Sequence, residues 1–308
     1  MTPPIAARHF NDARLIGINE GCRTSIDRVP FAYEHSLSGM DLFGFDALCA
    51  LAEKYDRDYF VTVGAPSPAT KFYAVDQRTD APHTALMRLE SGKNRVLLKR
   101  PENVDPRYRD LMQALFAQVR ALMEPSRGNE RVVRLDSSIL ISSAATITPF
   151  HFDPEVSFFF QIEGEKRYHP YSPTALSEPE LEGFYRMGIV NIGQVDFQGR
   201  DHAQGYTFRL SAGKGMHQPQ NSPHWVETGS SRSISYVFSF ETERSRALGR
   251  TRAFNYYLRK AGFVPALPGA RPTLDSTKAG VMQIAIPMRK ALGAAVRPFK
   301  SRGTYSKG

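Results

Sequence analysis

In the segment ITPFHFDPEVSFFF, His151 and Asp153 offer an imidazole and a carboxylate two residues apart. On a β-strand that spacing sends both side chains to the same face, so the pair can share one ion. The spacing alone is common by chance. The surrounding residues add weight, because inward positions of a barrel strand are normally apolar. Two polar groups there are costly unless something such as a metal satisfies them.

Two histidines and one carboxylate form a facial triad that leaves coordination positions open for other ligands. His224, in NSPHWVETG, is the best-placed third donor, since a proline-bearing turn there feeds a strand just before the last β run. His169, His202 and His217 compete with it. His217 is the nearest rival, only seven residues away, but its setting in GKGMHQPQ reads as a turn into the strand rather than a site.

The elements that must carry these groups are short and β-rich. Val132 to Ser142, Ile147 to Asp153, Val156 to Glu163, Lys166 to Tyr171, Tyr206 to Leu210 and Ser233 to Glu241 are each dense in β-branched or aromatic residues. Many short strands imply a sandwich or barrel. Phe158, Phe159 and Phe160 alternate across their strand and read as packing residues. Ahead of this block, Phe31 to His35 reads as a strand and Asp46 to Lys54 as a helix. Asp105 and Pro106 make an N-cap and first turn for a helix whose apolar stripe runs from Tyr108 to Leu122, ending near Met123. PSRGNE at 125–130 should break it. An insertion around Ala175 to Gly188 is helical in composition, with Ser177 as cap for Glu178 to Tyr185. After Glu243 a basic helix should end near Gly262. A last one, Thr277 to Val296, should end or kink at Pro287, and the final residues should be loose. Three regions follow: 1–131 as buttress, 132–243 as core, and 244–308 as a basic helical extension.

The chain has 308 residues and a net charge of +9, which is unevenly spread. From Arg244 to Gly308 there are 14 Lys and Arg against the single acid Asp275, a net of +13, which leaves −4 for residues 1–243. The basicity thus belongs to the tail, which could meet nucleic acid or another acidic partner, or simply be a solvated face. No aromatic-rich or zinc-bearing nucleic-acid motif accompanies it. Cys22 and Cys49 supply neither a disulfide framework nor a thiolate site, and they read as small packed residues. With no apolar run long enough for a signal peptide or a membrane span, the expected location is the cytoplasm.

TPFHFDPEVSFFFQIEGEKRYHPYSP, together with PQNSPHWVE and SISYVFSF, resembles the JmjC and cupin-like iron(II)/2-oxoglutarate oxygenases, most closely the asparaginyl hydroxylase branch. The resemblance covers about residues 132–242. It implies a mainly β fold, a double-stranded β-helix (jelly-roll) barrel with flanking helices. It also implies Fe(II) on His151, Asp153 and His224, with 2-oxoglutarate and O2 as co-substrates. Lys166 matches the lysine that pairs with the distal carboxylate of 2-oxoglutarate, and Thr148 matches a hydroxyl donor to that carboxylate. Read without the resemblance, Lys166 would be a solvated side chain at a turn. Thr148 has the wrong parity to share a regular strand face with His151, so it needs an irregularity that Pro149 can supply. Ser157 and Ser239 stand where that branch carries asparagines lining the site; their smaller hydroxyls could still hydrogen-bond the co-substrate or a water, while the oxygen-side geometry and the choice of substrate should differ.

The implied activity is hydroxylation of a peptide or protein side chain, with the β-carbon of Asn, Asp or His as first expectation. Demethylation of N-methyl-lysine and hydroxylation of a small molecule are the alternatives within the family. From another class comes a non-catalytic binding module, since cupin barrels host many functions. Helices after the barrel form a dimer interface in related hydroxylases. Phe254, Tyr257, Leu258, Met282 and Ile286 could do so here or pack on their own chain.

Overall fold

The computed structural model describes residues 13–123, 129–186, 188 and 192–296. Most of the expected helix break at 125–130, and the loose C-terminal end, lie outside the described residues. The chain divides into two compact units: Met1–Ala175 with Gln194–Glu241, and Leu176–Gly193 with Thr242–Gly308. No described helix is long and apolar enough to cross a membrane.

The first unit is mainly antiparallel β. Its strands are β1 (Leu15–Ile16), β2 (Phe31–His35), β3 (Tyr59–Val63), β4 (Gln77–Arg78), β5 (Asn94–Lys99), β6 (Val132–Ser142), β7 (Ile147–Phe152), β8 (Val156–Glu163), β9 (Glu165–Pro170), β10 (Gly193–Gln194), β11 (Phe208–Ser211), β12 (Lys214–Gln218), β13 (Pro223–Thr228) and β14 (Ser233–Thr242). They form a larger sheet, in the order β1-β2-β12-β8-β14-β6-β5-β3-β4, and a smaller one, β10-β7-β13-β9-β11. Helices α1 (Glu20–Ser25), α2 (Phe45–Ala52), α3 (Pro82–Met87) and α4 (Pro106–Leu122) complete the unit. As its composition predicts, α4 is capped by Asp105, whose side chain accepts from the Arg107 amide, with Pro106 in its first turn.

The alternation of Phe158, Phe159 and Phe160 shows how the larger sheet is used. Phe158 and Phe160 face a core shared with Leu111, Leu115, Tyr236 and Phe238, whereas Phe159 points the other way and packs with Tyr168, Met216 and Val226. One face of β8 therefore meets helix α4 and the other meets the smaller sheet. Each fully buried phenylalanine contributes about 1.5–3 kcal/mol of burial free energy. The turn from β8 to β9 is a single residue, Gly164, at φ +72°, where a Cβ would sit 2.2 Å from the Arg232 carbonyl oxygen. Only glycine fits there.

The second unit contains α5 (Glu178–Tyr185), α6 (Glu243–Lys260) and α7 (Pro272–Val296). Ser177 caps α5 through a capping box with Glu180, as its sequence predicts. The tail's basicity is partly spent inside this unit. Arg252 holds both oxygens of Glu178 at 2.9 Å, and Arg259 those of Glu182 at 2.7 and 3.1 Å. Of the two outcomes expected at Pro287, the helix does not end there: Pro287 lies inside α7, which runs on to Val296, since proline's fixed φ is itself helical. Met282 is buried, in keeping with packing on its own chain, and the exposed large apolar residues among those described on α7 are Leu274, Val281, Ile284 and Met288.

Candidate metal centre

Strand β13 lies between β7 and β9 in the smaller sheet, and its register places His224 directly opposite His151. The two imidazoles lie 4.1 Å apart between ring centroids. Asp153 follows the last residue of β7, and its main-chain carbonyl accepts from the Asn221 amide at 2.9 Å, tying it to the turn before β13. Its Oδ2 is 4.0 Å from His151 Nε2 and 3.8 Å from His224 Nε2. One donor atom from each of the three residues lies within 4.8 Å of the others.

Both imidazoles are oriented for this task. His151 Nδ1 sits 2.7 Å from the Pro149 carbonyl and His224 Nδ1 3.2 Å from that of Ser222. A carbonyl can only accept, so each Nδ1 carries the proton and each Nε2 turns a lone pair toward Asp153. Burial holds the His151 imidazole below its usual pKa and that of His224 well below it, in the second case aided by the neighbouring imidazole. Burial pushes the Asp153 carboxyl up, although His151 opposes the shift. Behind it Glu155 is pushed up to about 8, by burial first and then by the Asp153 charge, despite its 2.5 Å contact with Arg134. Two neutral imidazoles and a carboxylate crowded by a second acid are a donor set that a divalent cation would relieve. Nitrogen and oxygen donors in this combination suit iron(II).

Lys166 lies on β9, opposite Thr228 of β13, so it shares the inner face with His224. It is 3% exposed, and its Nζ donates to Ser235 Oγ at 3.0 Å and lies 5.3 Å from the centre of the Phe159 ring. Among the described residues no carboxylate is paired with it, and burial pulls its pKa down to about 7. Thr148 reaches the same face through a bulge. Thr148 and His151 oppose Val226 and His224, so three residues of advance on β7 match two on β13. Ser157 and Ser239 are also paired across strands, with their hydroxyls 2.9 Å apart on β8 and β14.

The competing histidines have other work. His217 is on a strand, β12, and not in a turn; its Nε2 accepts from the Asp27 amide at 2.8 Å and its Nδ1 donates to the Ser157 carbonyl at 3.2 Å. His169 stacks on Trp225 and meets Thr207 and Glu227. His202 Nδ1 is 2.8 Å from the Tyr171 hydroxyl. Sequence reasoning missed Tyr168 and Gln218, which adjoin the three donors. The Tyr168 ring stacks on His224 at 5.2 Å, and its hydroxyl donates to Gln218 Oε1 at 2.5 Å. No periodicity signals either residue, because the contact joins strands of different sheets.

A scan against known protein families finds no match, and a search of characterised proteins finds none. Solved structures do match. One crystal structure of Escherichia coli YcfD aligns with a TM-score of 0.54 at 15% identity, covering 89% of this chain and 69% of that one. A second, of the protein described as the Escherichia coli ribosomal oxygenase YcfD, gives 0.50 at 16%, covering 89% and 68%. The likeness shows a shared fold.

Proposed function

We propose that this chain is an Fe(II)- and 2-oxoglutarate-dependent oxygenase that hydroxylates a peptide or protein side chain. The observation that carries the reading is the convergence of His151, Asp153 and His224 beside the inner sheet face that carries Lys166, a buried side chain with no carboxylate partner among the described residues. The two facing antiparallel sheets are read as a double-stranded β-helix, with residues 132–243 as the catalytic core, 1–131 as its buttress and 244–308 as an extension. His151, Asp153 and His224 would hold iron(II), which would supply O2 activation coupled to the oxidative decarboxylation of 2-oxoglutarate.

The chain's own residues do the positioning. The Pro149 and Ser222 carbonyls fix the tautomer of the two imidazoles, and Asp153 would supply the third donor to the metal. Lys166 supplies the charge that fixes the far carboxylate of 2-oxoglutarate, and Thr148 a hydroxyl beside it. The hydroxyls of Ser157 and Ser239 line the side where the branch they resemble has longer amides, which leaves room for a different substrate. Kinship of fold with a protein described as a ribosomal oxygenase supports a protein substrate over a small molecule. The first target to test is the β-carbon of Asn, Asp or His, with N-methyl-lysine as the alternative. The cytoplasm is the proposed location, and a homodimer through the C-terminal helices is one alternative, for which Leu274, Val281, Ile284 and Met288 of α7 offer exposed apolar surface. Light scattering at several concentrations reads that state.

The test is succinate production by iron(II)-loaded protein given 2-oxoglutarate and O2, with and without a peptide library. Peptide-stimulated succinate that disappears in His151→Ala and Asp153→Ala is expected. Full turnover in either variant would sink the assignment. Failure of the wild type to bind iron or 2-oxoglutarate would instead favour a non-catalytic binding module.

A further inference from the structure

Gln218 is 1% exposed and its carboxamide is half used: Oε1 accepts from the Tyr168 hydroxyl at 2.5 Å, whereas Nε2 has no hydrogen-bond partner. A buried amide N–H2 without an acceptor is costly and uncommon. Its surroundings show where it is aimed. The amide is in side-chain contact with the Asp153 carboxylate, yet no bond of normal geometry joins them. The opposite amide orientation would turn Oε1 toward the carboxylate, two acceptors facing each other, and that repulsion selects against it.

Tyr168 also touches a second candidate ligand, its ring stacked on His224 at 5.2 Å and 15°. Tyr168 sits on β9 of the smaller sheet and Gln218 on β12 of the larger, so the pair spans the two sheets that face each other across the site. Gln218 is also opposite Ser157 in the β12–β8 register. The neutral amide adds no charge beside an already crowded pair of acids, so it can steady Asp153 without competing with a cation for it.

We infer that Tyr168 and Gln218 form a brace for the metal centre. The Tyr168 ring holds the His224 imidazole, and its hydroxyl orients Gln218. Nε2 of Gln218 then donates to the Asp153 carboxylate, holding it where it would bind a metal. Both are positioning residues, and the inference rests on the metal reading proposed above.

Cobalt(II) binding, followed by calorimetry and by the visible d–d absorption of the bound ion, tests the brace without recourse to turnover. Gln218→Met keeps the side-chain length and removes the donor. It should weaken cobalt(II) binding by about 10- to 100-fold, the range for lost outer-shell partners, and shift the absorption bands. Tyr168→Phe keeps the ring stack and removes only the hydroxyl, so its loss should be smaller. The double variant should bind no more weakly than Gln218→Met, because the hydroxyl acts through the amide. Circular dichroism checks that each variant is folded, and Tyr168→Phe carries the test if Gln218→Met is not. Wild-type affinity and bands in both single variants, or losses that simply add in the double, would overturn the brace and leave the metal reading standing. Wild-type protein that binds cobalt(II) no better than His151→Ala would remove the metal reading and the brace with it.

Discussion

Thr148 and His151 share one face of β7 although they are three positions apart, because the strand carries one extra residue between them while His224 and Val226 opposite are two apart. The extra residue falls in the stretch Pro149–Phe150. Proline cannot donate to the sheet ladder, and the bulge absorbs that loss. The Pro149 carbonyl is then used again, to fix the His151 ring.

Thr148→Val tests the outcome of that bulge. A lost hydroxyl bond to a charged group is worth roughly 1.5–3 kcal/mol. We expect 2-oxoglutarate binding to weaken about 10- to 100-fold while metal binding holds, as read by calorimetry. A loss of metal binding instead would mean that the substitution disturbs β7 itself.

Lys166→Met should abolish 2-oxoglutarate binding and yet stabilise the ligand-free protein, by roughly 1–3 kcal/mol at or below neutral pH, because a buried ammonium without a carboxylate is costly. The pH dependence follows from the direction of the shift. With a folded pKa of about 7, below the ordinary lysine value, the unfolded chain holds the proton over a range where the folded one does not. This group therefore makes stability rise with pH from about 7 toward about 10.4. Denaturant titrations at several pH values should show that slope in the wild type and not in the variant. Over the same range 2-oxoglutarate binding should take up a proton, measurable in buffers of different ionisation enthalpy.

Glu102 gives the opposite slope. Its carboxylate is buried and accepts from the Ser137 amide at 3.2 Å and the Ser137 hydroxyl at 2.5 Å, and burial raises its pKa. The folded state then keeps the proton longer than the unfolded chain, so stability falls as pH rises through that raised value. Glu102→Gln retains the shape without the charge. Its melting temperature relative to wild type should climb from pH 4 upward and level off once Glu102 is ionised in the folded protein.

In the second unit, Gly249 of α6 lies beneath the Tyr185 ring of α5. A Cβ there would come within 2.7 Å of Tyr185 Cε1. Gly249→Ala improves helix propensity yet forces that ring to move, so a net loss of about 1–3 kcal/mol is expected. Unchanged or raised stability in denaturant would show that the α5–α6 contact yields freely.

By itself the sequence was enough to single out His151 and Asp153 as a pair, because spacing along one strand is a local property, whereas His224 meets them only through the register of β13 on β7. It was enough for α4 as well, where Asp105 and Pro106 announce the start and the apolar stripe sets the length. Lys166 was legible through resemblance, and tertiary structure added the reason for its chemistry, a buried position bonded to Ser235 with no acid paired to it among the described residues. Other features only the tertiary structure decided. The tasks of His217 come from Asp27 and Ser157, 190 and 60 residues away. Tyr168 and Gln218 meet because two sheets face each other, and no spacing within either strand encodes that. Parity within a strand is written residue by residue, whereas pairing between sheets is fixed by how the whole chain closes on its core.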